Sequence, residues 1–234
     1  MAWAGGGAGY GLIETMRARG ARLPFLELHL ARLRRSLGAL RLPEPQQDVA
    51  ALALAAAAGT PGDGVVRLEV RDGRAAIETR AWAPAGPPAI IVATEPHAPY
   101  GHKTTDRGVF DRALAEARRA GADDALLVTP GGEGGERGEW GHVAEGTTWS
   151  LFWWDGDRLC TPALDLGILP GVGRARVMEL AEVSEERVPL VEFAGRSLFL
   201  VNAVRGIVQI GSFRGRDVPL DARTVELSLR FWPD

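Results

Sequence analysis

A chain of 234 residues with 46 % apolar and 24 % charged residues can bury a sizeable core and has an ordinary globular balance. A net charge of −3 offers no basic surface to nucleic acid or anionic lipid, and there is no run of about 18 apolar residues to cross a bilayer. The single cysteine, Cys160, excludes an intrachain disulfide and a thiolate zinc cluster, and His29, His97, His102 and His142 lack the spacing of a local metal motif, so nothing calls for a metal. These features predict a soluble, intracellular protein with neither a nucleic-acid nor a membrane partner.

The start, residues 1–10, is mostly Gly and Ala and reads as a mobile or ligand-covering end. Residues 11–17 alternate as a strand, and Ala18-Arg19-Gly20 turns the chain back toward Leu23. Between 25 and 40, Leu26, Leu30, Leu33, Leu37 and Leu40 fall at helical spacing, with Arg32, Arg34 and Arg35 among them. An alanine-rich helix over 45–58 stops at Gly59. Runs at 65–70 and 75–82 form a hairpin through Asp72-Gly73, and 89–93 is a buried strand. The first 95 residues therefore read as a small α+β domain, and 96–102, broken by prolines, as an interdomain connector.

Residues 103–234 read as a larger domain. A helix over 110–120 ends at Gly121 and leads to a strand at 125–128, while the glycine- and glutamate-rich stretch 131–141 is a solvated loop. The β-rich run 147–154 turns at Asp155-Gly156 and pairs back through 158–161, where Cys160 reads as a buried thiol. Pro170-Gly171-Val172-Gly173 introduces a helix from 174 to 183, 198–201 and 206–210 are short strands, and Asp221 caps a last helix through Leu229.

Lys103 opens this second part in the stretch Gly101-His102-Lys103-Thr104-Thr105-Asp106-Arg107. A lysine forms a Schiff base only as the neutral amine, which needs desolvation or neighbouring positive charge. The chain has very few lysines and uses arginine almost everywhere else, so a retained lysine is informative.

Seven stretches, in one order, carry a resemblance: Gly11-Leu12-Ile13-Glu14-Thr15, His29-Leu30-Ala31-Arg32-Leu33, His102-Lys103-Thr104-Thr105, Ala144-Glu145-Gly146-Thr147, Thr161-Pro162, Ile168-Leu169-Pro170-Gly171-Val172-Gly173-Arg174 and Asn202-Ala203-Val204-Arg205-Gly206. Together they resemble the fold-type IV pyridoxal-phosphate enzymes, which include branched-chain and D-amino-acid aminotransferases and aminodeoxychorismate lyases. The resemblance implies a two-domain, D-amino-acid-aminotransferase-like α+β fold with a β-rich core in the larger domain, pyridoxal 5'-phosphate as cofactor, and a homodimer. It implies Lys103 as the cofactor-bearing amine and Glu145 as the carboxylate that keeps the pyridine nitrogen protonated. Arg32, with the backbone at Val172 and Gly173, corresponds to the phosphate site, joined by the Asn202-Ala203 segment.

Three departures stand out. The family's first strand, with its Asp-Arg-Gly segment, has no counterpart before Gly9, Ser150 stands where an Asn is usual, and Gly173 where a Thr or Met is frequent. The Lys103-to-Arg107 segment is closer to the Lys-Thr-Leu-Asn-Arg pattern of aminodeoxychorismate lyases than to the aminotransferase pattern. The resemblance thus implies a lyase that releases pyruvate and p-aminobenzoate, a folate precursor, with Lys103 as the proton-transferring base and Thr15 assisting. An aminotransferase for branched-chain or D-amino acids is the alternative, and a non-catalytic cofactor-binding protein a third reading. Tyr100, Arg107 and His97 are candidates for either substrate pocket.

Overall fold

A computed structural model of the chain describes residues 9–131 and 141–233. The expectations for residues 1–8, the missing first strand among them, and for most of the 131–141 loop lie outside these. The architecture is mixed α+β on three sheets.

The first sheet is antiparallel, in the order β1 (Leu12–Arg19), β2 (Asp63–Arg71), β3 (Arg74–Ala81). Asp72 and Gly73 join the hairpin at φ of 50° and 70°, the left-handed pair that a tight two-residue turn requires. The two-residue period splits β1 between two environments. Leu12, Glu14, Met16 and Ala18 face the helices α1 (Leu26–Leu40) and α2 (Val49–Ala58); Ile13, Thr15 and Arg17 face away. Leu12, Met16, Leu33, Leu37, Ala53, Ala57, Val66 and Leu68 make one core. Helix α2 begins four residues later than expected. The Asp48 carboxylate accepts the Ala50 and Ala51 N–H groups at 3.0 Å, while Gln46 N donates to Gly73 O and Gln47 accepts from Ala75 N, so the chain before Asp48 is tied to the hairpin.

The remaining strands are β4 (Ala89–Val92), β5 (Asp124–Val128), β6 (Val143–Gly146), β7 (Ser150–Asp155), β8 (Arg158–Pro162), β9 (Val183–Glu186), β10 (Ser197–Asn202), β11 (Gly206–Gln209), β12 (Ser212–Phe213) and β13 (Arg216–Asp217). Three more helices are α3 (Gly108–Arg119), α4 (Val172–Leu180) and α5 (Ala222–Arg230). One sheet runs β13-β12-β4-β5-β6 and the other β11-β10-β7-β8-β9. They pack face to face through Ile90, Leu126, Val143, Leu151, Trp153, Leu198, Leu200 and Phe213. The far side of the second carries Phe152, Phe199 and Val201 against Val172 and Val177 of α4 and Leu227 of α5. Covering both faces explains why β7 and β10 read as continuous apolar runs.

Two local expectations are corrected. The 89–93 strand, placed in the first unit by its position in the chain, pairs in parallel with β5 and β12. Four apolar residues carry no signal of which sheet they join. The helix expected over 174–183 is α4, shifted toward the N-terminus, because Val183 opens β9 and pairs in parallel with Leu159 of β8. Strands β6, β9, β12 and β13, each two to four residues long, had no distinct pattern. No helix among the described residues is long and apolar enough to cross a membrane.

Asp48→Ala removes the α2 cap without touching a core residue. It is expected to lower stability by about 1 kcal/mol in urea unfolding, with an unchanged slope.

Candidate functional site

The three sheets meet around a cavity of about 320 Å³. Its position follows from one junction: β1 bonds back to the segment that contains Lys103. Ile13 N donates to Lys103 O at 2.8 Å, Thr105 N to Gly11 O at 2.8 Å, and Gly11 N to Thr105 Oγ1 at 2.8 Å. The alternation of β1 then turns Ile13 and Thr15 into the cavity beside Lys103. Lys103 is the only lysine of the chain. Desolvation in the cavity wall, reinforced by the charges of Arg32 and Arg107 and opposed by Glu14 and Glu145, brings its amine down to about pKa 7.

Behind this wall lies a buried ionic cluster that joins Arg32 to Glu14 and His29, two residues of the resembling stretches to which the sequence alone assigned no role. Glu14, on the helix-facing side of β1, accepts Arg32 Nε at 2.9 Å and Arg32 Nη2 at 2.5 Å, and lies 2.6 Å from His29 Nδ1. Burial alone would raise its pKa, but Arg32 and His29 together pull it down to about 2. An ionised carboxylate only accepts, so His29 Nδ1 carries the hydrogen. Burial lowers the pKa of the imidazole, against the opposing pull of Glu14, and so favours its neutral form. His29 Nε2 is buried without a partner among the described residues, and its ring forms part of the cavity wall. The signal was legible: a glutamate on the otherwise apolar face of a strand, and His29 and Arg32 one turn apart on the buried face of α1.

Glu145, at the end of β6, is held on one oxygen. Oε1 lies 2.9 Å from His97 Nε2 and accepts Leu169 N at 3.1 Å; among the described residues both bonds fall on Oε1, and the residue lines the cavity. His97, a substrate candidate from sequence, is buried behind Glu145 and is not part of the cavity lining. Its place in the connector gave no hint of this, because its partner is far away in the chain. Tyr100 lines the cavity with its ring, but its hydroxyl is spent on Thr104 O at 2.7 Å, and burial raises its pKa. Arg107 reaches the cavity and donates to Thr147 O at 2.7 Å.

The opposite elements supply backbone donors. Helix α4 starts at Val172 with no side-chain cap, so its first N–H groups have no partner of that kind and its positive end adjoins the cavity. A Cβ on Gly173 would stand 2.8 Å from Val201 Cγ1 and 2.9 Å from the Asn202 backbone, and one on Gly171 would stand 2.7 Å from Ser150 Oγ. The glycines thus let the helix start lie directly against the end of β10. Ser150, Ala203 and Asn202 line the cavity too; Asn202 Oδ1 accepts the N–H groups of Val204 and Arg205 at 3.0 and 2.8 Å and so shapes the turn after β10.

This donor set fits pyridoxal phosphate. A desolvated amine, a carboxylate with one oxygen held from behind, an anchored arginine, a helix N-terminus and the unpartnered His29 Nε2 surround one space. Of the residues singled out in the sequence, Lys103, Thr15, Glu145, Arg32, Val172, Gly173, Asn202, Ala203, Tyr100 and Arg107 converge on that cavity, and His97 stands one layer behind.

With a single lysine, a protein labelled at lysine Cε gives one signal. In the cofactor-free protein it is expected to titrate near pH 7, protonated below and neutral above, and to move upward in Arg32→Met, which removes one of the charges that disfavour the cation. A midpoint at the ordinary value of about 10.4 in the unmodified chain would contradict the described environment.

Comparison with the curated proteins finds no match. Among solved structures, a proposed amino-acid aminotransferase from Mesorhizobium loti is 29 % identical, with a TM-score of 0.76 over 88 % of this chain and 100 % of that one. A proposed 4-amino-4-deoxychorismate lyase is 26 % identical, with a TM-score of 0.78 over 98 % and 91 %. The pyridoxal-phosphate-bound form of a hypothetical aminotransferase from Mycobacterium tuberculosis is 23 % identical, with a TM-score of 0.80 over 95 % and 88 %, and shares the fold. The family described as amino-transferase class IV matches residues 11–213, nearly the whole described chain, and with that match, the fold-type IV architecture and a cavity built for pyridoxal phosphate, the protein belongs to the class IV aminotransferase family of pyridoxal-phosphate enzymes.

Proposed function

We propose that the protein is a 4-amino-4-deoxychorismate lyase, releasing pyruvate and p-aminobenzoate. The observation that carries this reading is that both ends of the lyase-like segment, Lys103 and Arg107, share one cavity wall with Glu145. The likeness to a proposed 4-amino-4-deoxychorismate lyase, covering 98 % of the chain, supports it.

When bound, pyridoxal phosphate supplies an electron sink for the carbon that bears the substrate nitrogen. Arg32, held in place by Glu14, and the start of α4 at Val172 and Gly173 bind the phosphate; the Asn202-Ala203 turn closes that end. Glu145 holds the proton on the pyridine nitrogen, with His97 fixing its orientation. Lys103, whose amine is half neutral near pH 7, takes the proton from the carbon that carries the amino group. The C–O bond to the enolpyruvyl group breaks as the ring becomes aromatic, and the departing enolpyruvate takes a proton on its methylene carbon to become pyruvate. Lys103 delivers that proton, with the Thr15 hydroxyl beside it in the cavity. Arg107 and the Tyr100 ring border the substrate. This reading includes folate synthesis as the setting, a cytoplasmic location, a homodimer, and two domains meeting near the 96–102 connector.

Amino-group transfer is the second reading, favoured by the likeness to a proposed amino-acid aminotransferase from Mesorhizobium loti at 29 % identity. It uses the same Lys103 and Glu145.

The deciding assay follows pyruvate and p-aminobenzoate from enzymatically generated 4-amino-4-deoxychorismate. The unmodified protein is expected to release them in equal amounts, Lys103→Ala to release neither, and Glu145→Gln to retain bound cofactor with turnover lower by about 10²-fold or more. Conversion to the pyridoxamine form by an amino acid, with no pyruvate from the lyase substrate, would move the assignment to the aminotransferase.

A further inference from the structure

Beyond the groups used above, the cavity wall carries Arg67, Arg80 and Arg205, and no carboxylate besides Glu145 among the described residues. Strand register places the first two. Arg67 of β2 pairs with Glu78 of β3, and Arg80 lies two residues further on, so Arg67 and Arg80 are diagonal neighbours on the sheet face that also presents Ile13 and Thr15. Arg205 arrives from the turn after β10 and is fixed to the same rim twice over. Its Nη1 donates to Ala83 O at 3.1 Å, and the buried Arg17, stacked on Trp82 at 3.5 Å, donates to Val204 O at 3.2 Å. Trp82 and Ala83 follow β3 directly, so this joint brings the residues on either side of it, Arg80 and Arg205, to one edge.

Their charges are not equally satisfied. Arg67 is met by Glu69 at 3.0 Å and Glu78 at 3.6 Å. Arg80 has no ion pair among the described residues, and the Arg205 guanidinium bonds only a carbonyl among them. Two uncompensated guanidinium groups on a cavity rim attract an anion and suit the planar fork of a carboxylate.

We propose that Arg80 and Arg205 form a carboxylate-binding rim that receives a second acid group of the substrate, which makes the cavity a site for amino compounds bearing two carboxylates. The inference rests on the proposed function in taking this cavity as the substrate site. Arg32 and the start of α4 are committed to the phosphate, and Arg107 already offers a guanidinium to one carboxylate. Arg80 and Arg205 therefore exceed what a substrate with a single acid group uses. An aliphatic side chain placed at this rim would desolvate two cations without compensation, which disfavours branched-chain amino acids.

The test is calorimetric binding of isophthalate and of benzoate to the cofactor-loaded protein, two rigid aromatic acids that differ by one carboxylate. Isophthalate is expected to bind about tenfold more tightly or better. Arg80→Ala and Arg205→Ala are each expected to bring that ratio toward one with little change for benzoate, while Arg80→Lys keeps part of it. Equal binding of the two acids, no binding of isophthalate, or a ratio that survives both alanine variants would overturn the rim. No turnover enters this measurement, so a ratio that holds in a protein releasing no pyruvate leaves the rim standing and removes the lyase, and a lost ratio beside pyruvate release does the reverse.

Discussion

A primary amine held out of water, with two guanidinium groups opposing its charge, is the constraint on which the site depends. Lys103 is drawn into the wall by the backbone bonds of β1 to its own segment, and Arg32 and Arg107 oppose its positive charge. The two arginines are held in different ways. Arg32 is fixed by a carboxylate, Glu14, that is itself buried, so its guanidinium keeps one orientation whether or not a ligand is present. Arg107 is fixed mainly by a neutral carbonyl, that of Thr147 at 2.7 Å, and meets a carboxylate, the exposed Asp111, only at 3.6 Å. Removing Glu14 would strand a buried cation, a more severe change than removing the whole cluster.

The strand period explains how one short segment serves both the core and the chemistry. Along β1 every second residue meets helices, and Glu14 among them reaches α1; of the residues between, Ile13 and Thr15 meet the cavity. A shift of register by one residue would exchange Glu14 with Thr15 and dismantle both. The same rule, applied across β2 and β3, places Arg67 and Arg80 on the cavity face although neither belongs to a recognisable motif.

Much of this was legible in the chain. The hairpin at Asp72-Gly73, helix α1, the capped helix α5 and the convergence of Lys103, Glu145, Arg32 and Gly173 followed from local pattern and ordered motifs. Three kinds of information were not local. The partner sheet of β4 depends on β5 and β12, which lie far along the chain. His97 became a support for Glu145 only through a contact spanning 48 positions. The rim formed by Arg80 and Arg205 needs strand register and the Arg17 joint together. One signal was present and underused: the chain retains a single lysine among 234 residues, which is stronger than scarcity. Glu14 was likewise visible as a charge on an apolar strand face.

That single lysine also permits the most direct test of the account. The protein loaded with pyridoxal phosphate is reduced with borohydride and digested, and its peptides are examined by mass spectrometry. One phosphopyridoxyl addition per chain is expected, on the peptide that contains Lys103, and none in Lys103→Ala. An unmodified Lys103 peptide from a protein that carries the cofactor, or an addition at the α-amino group alone, would contradict it.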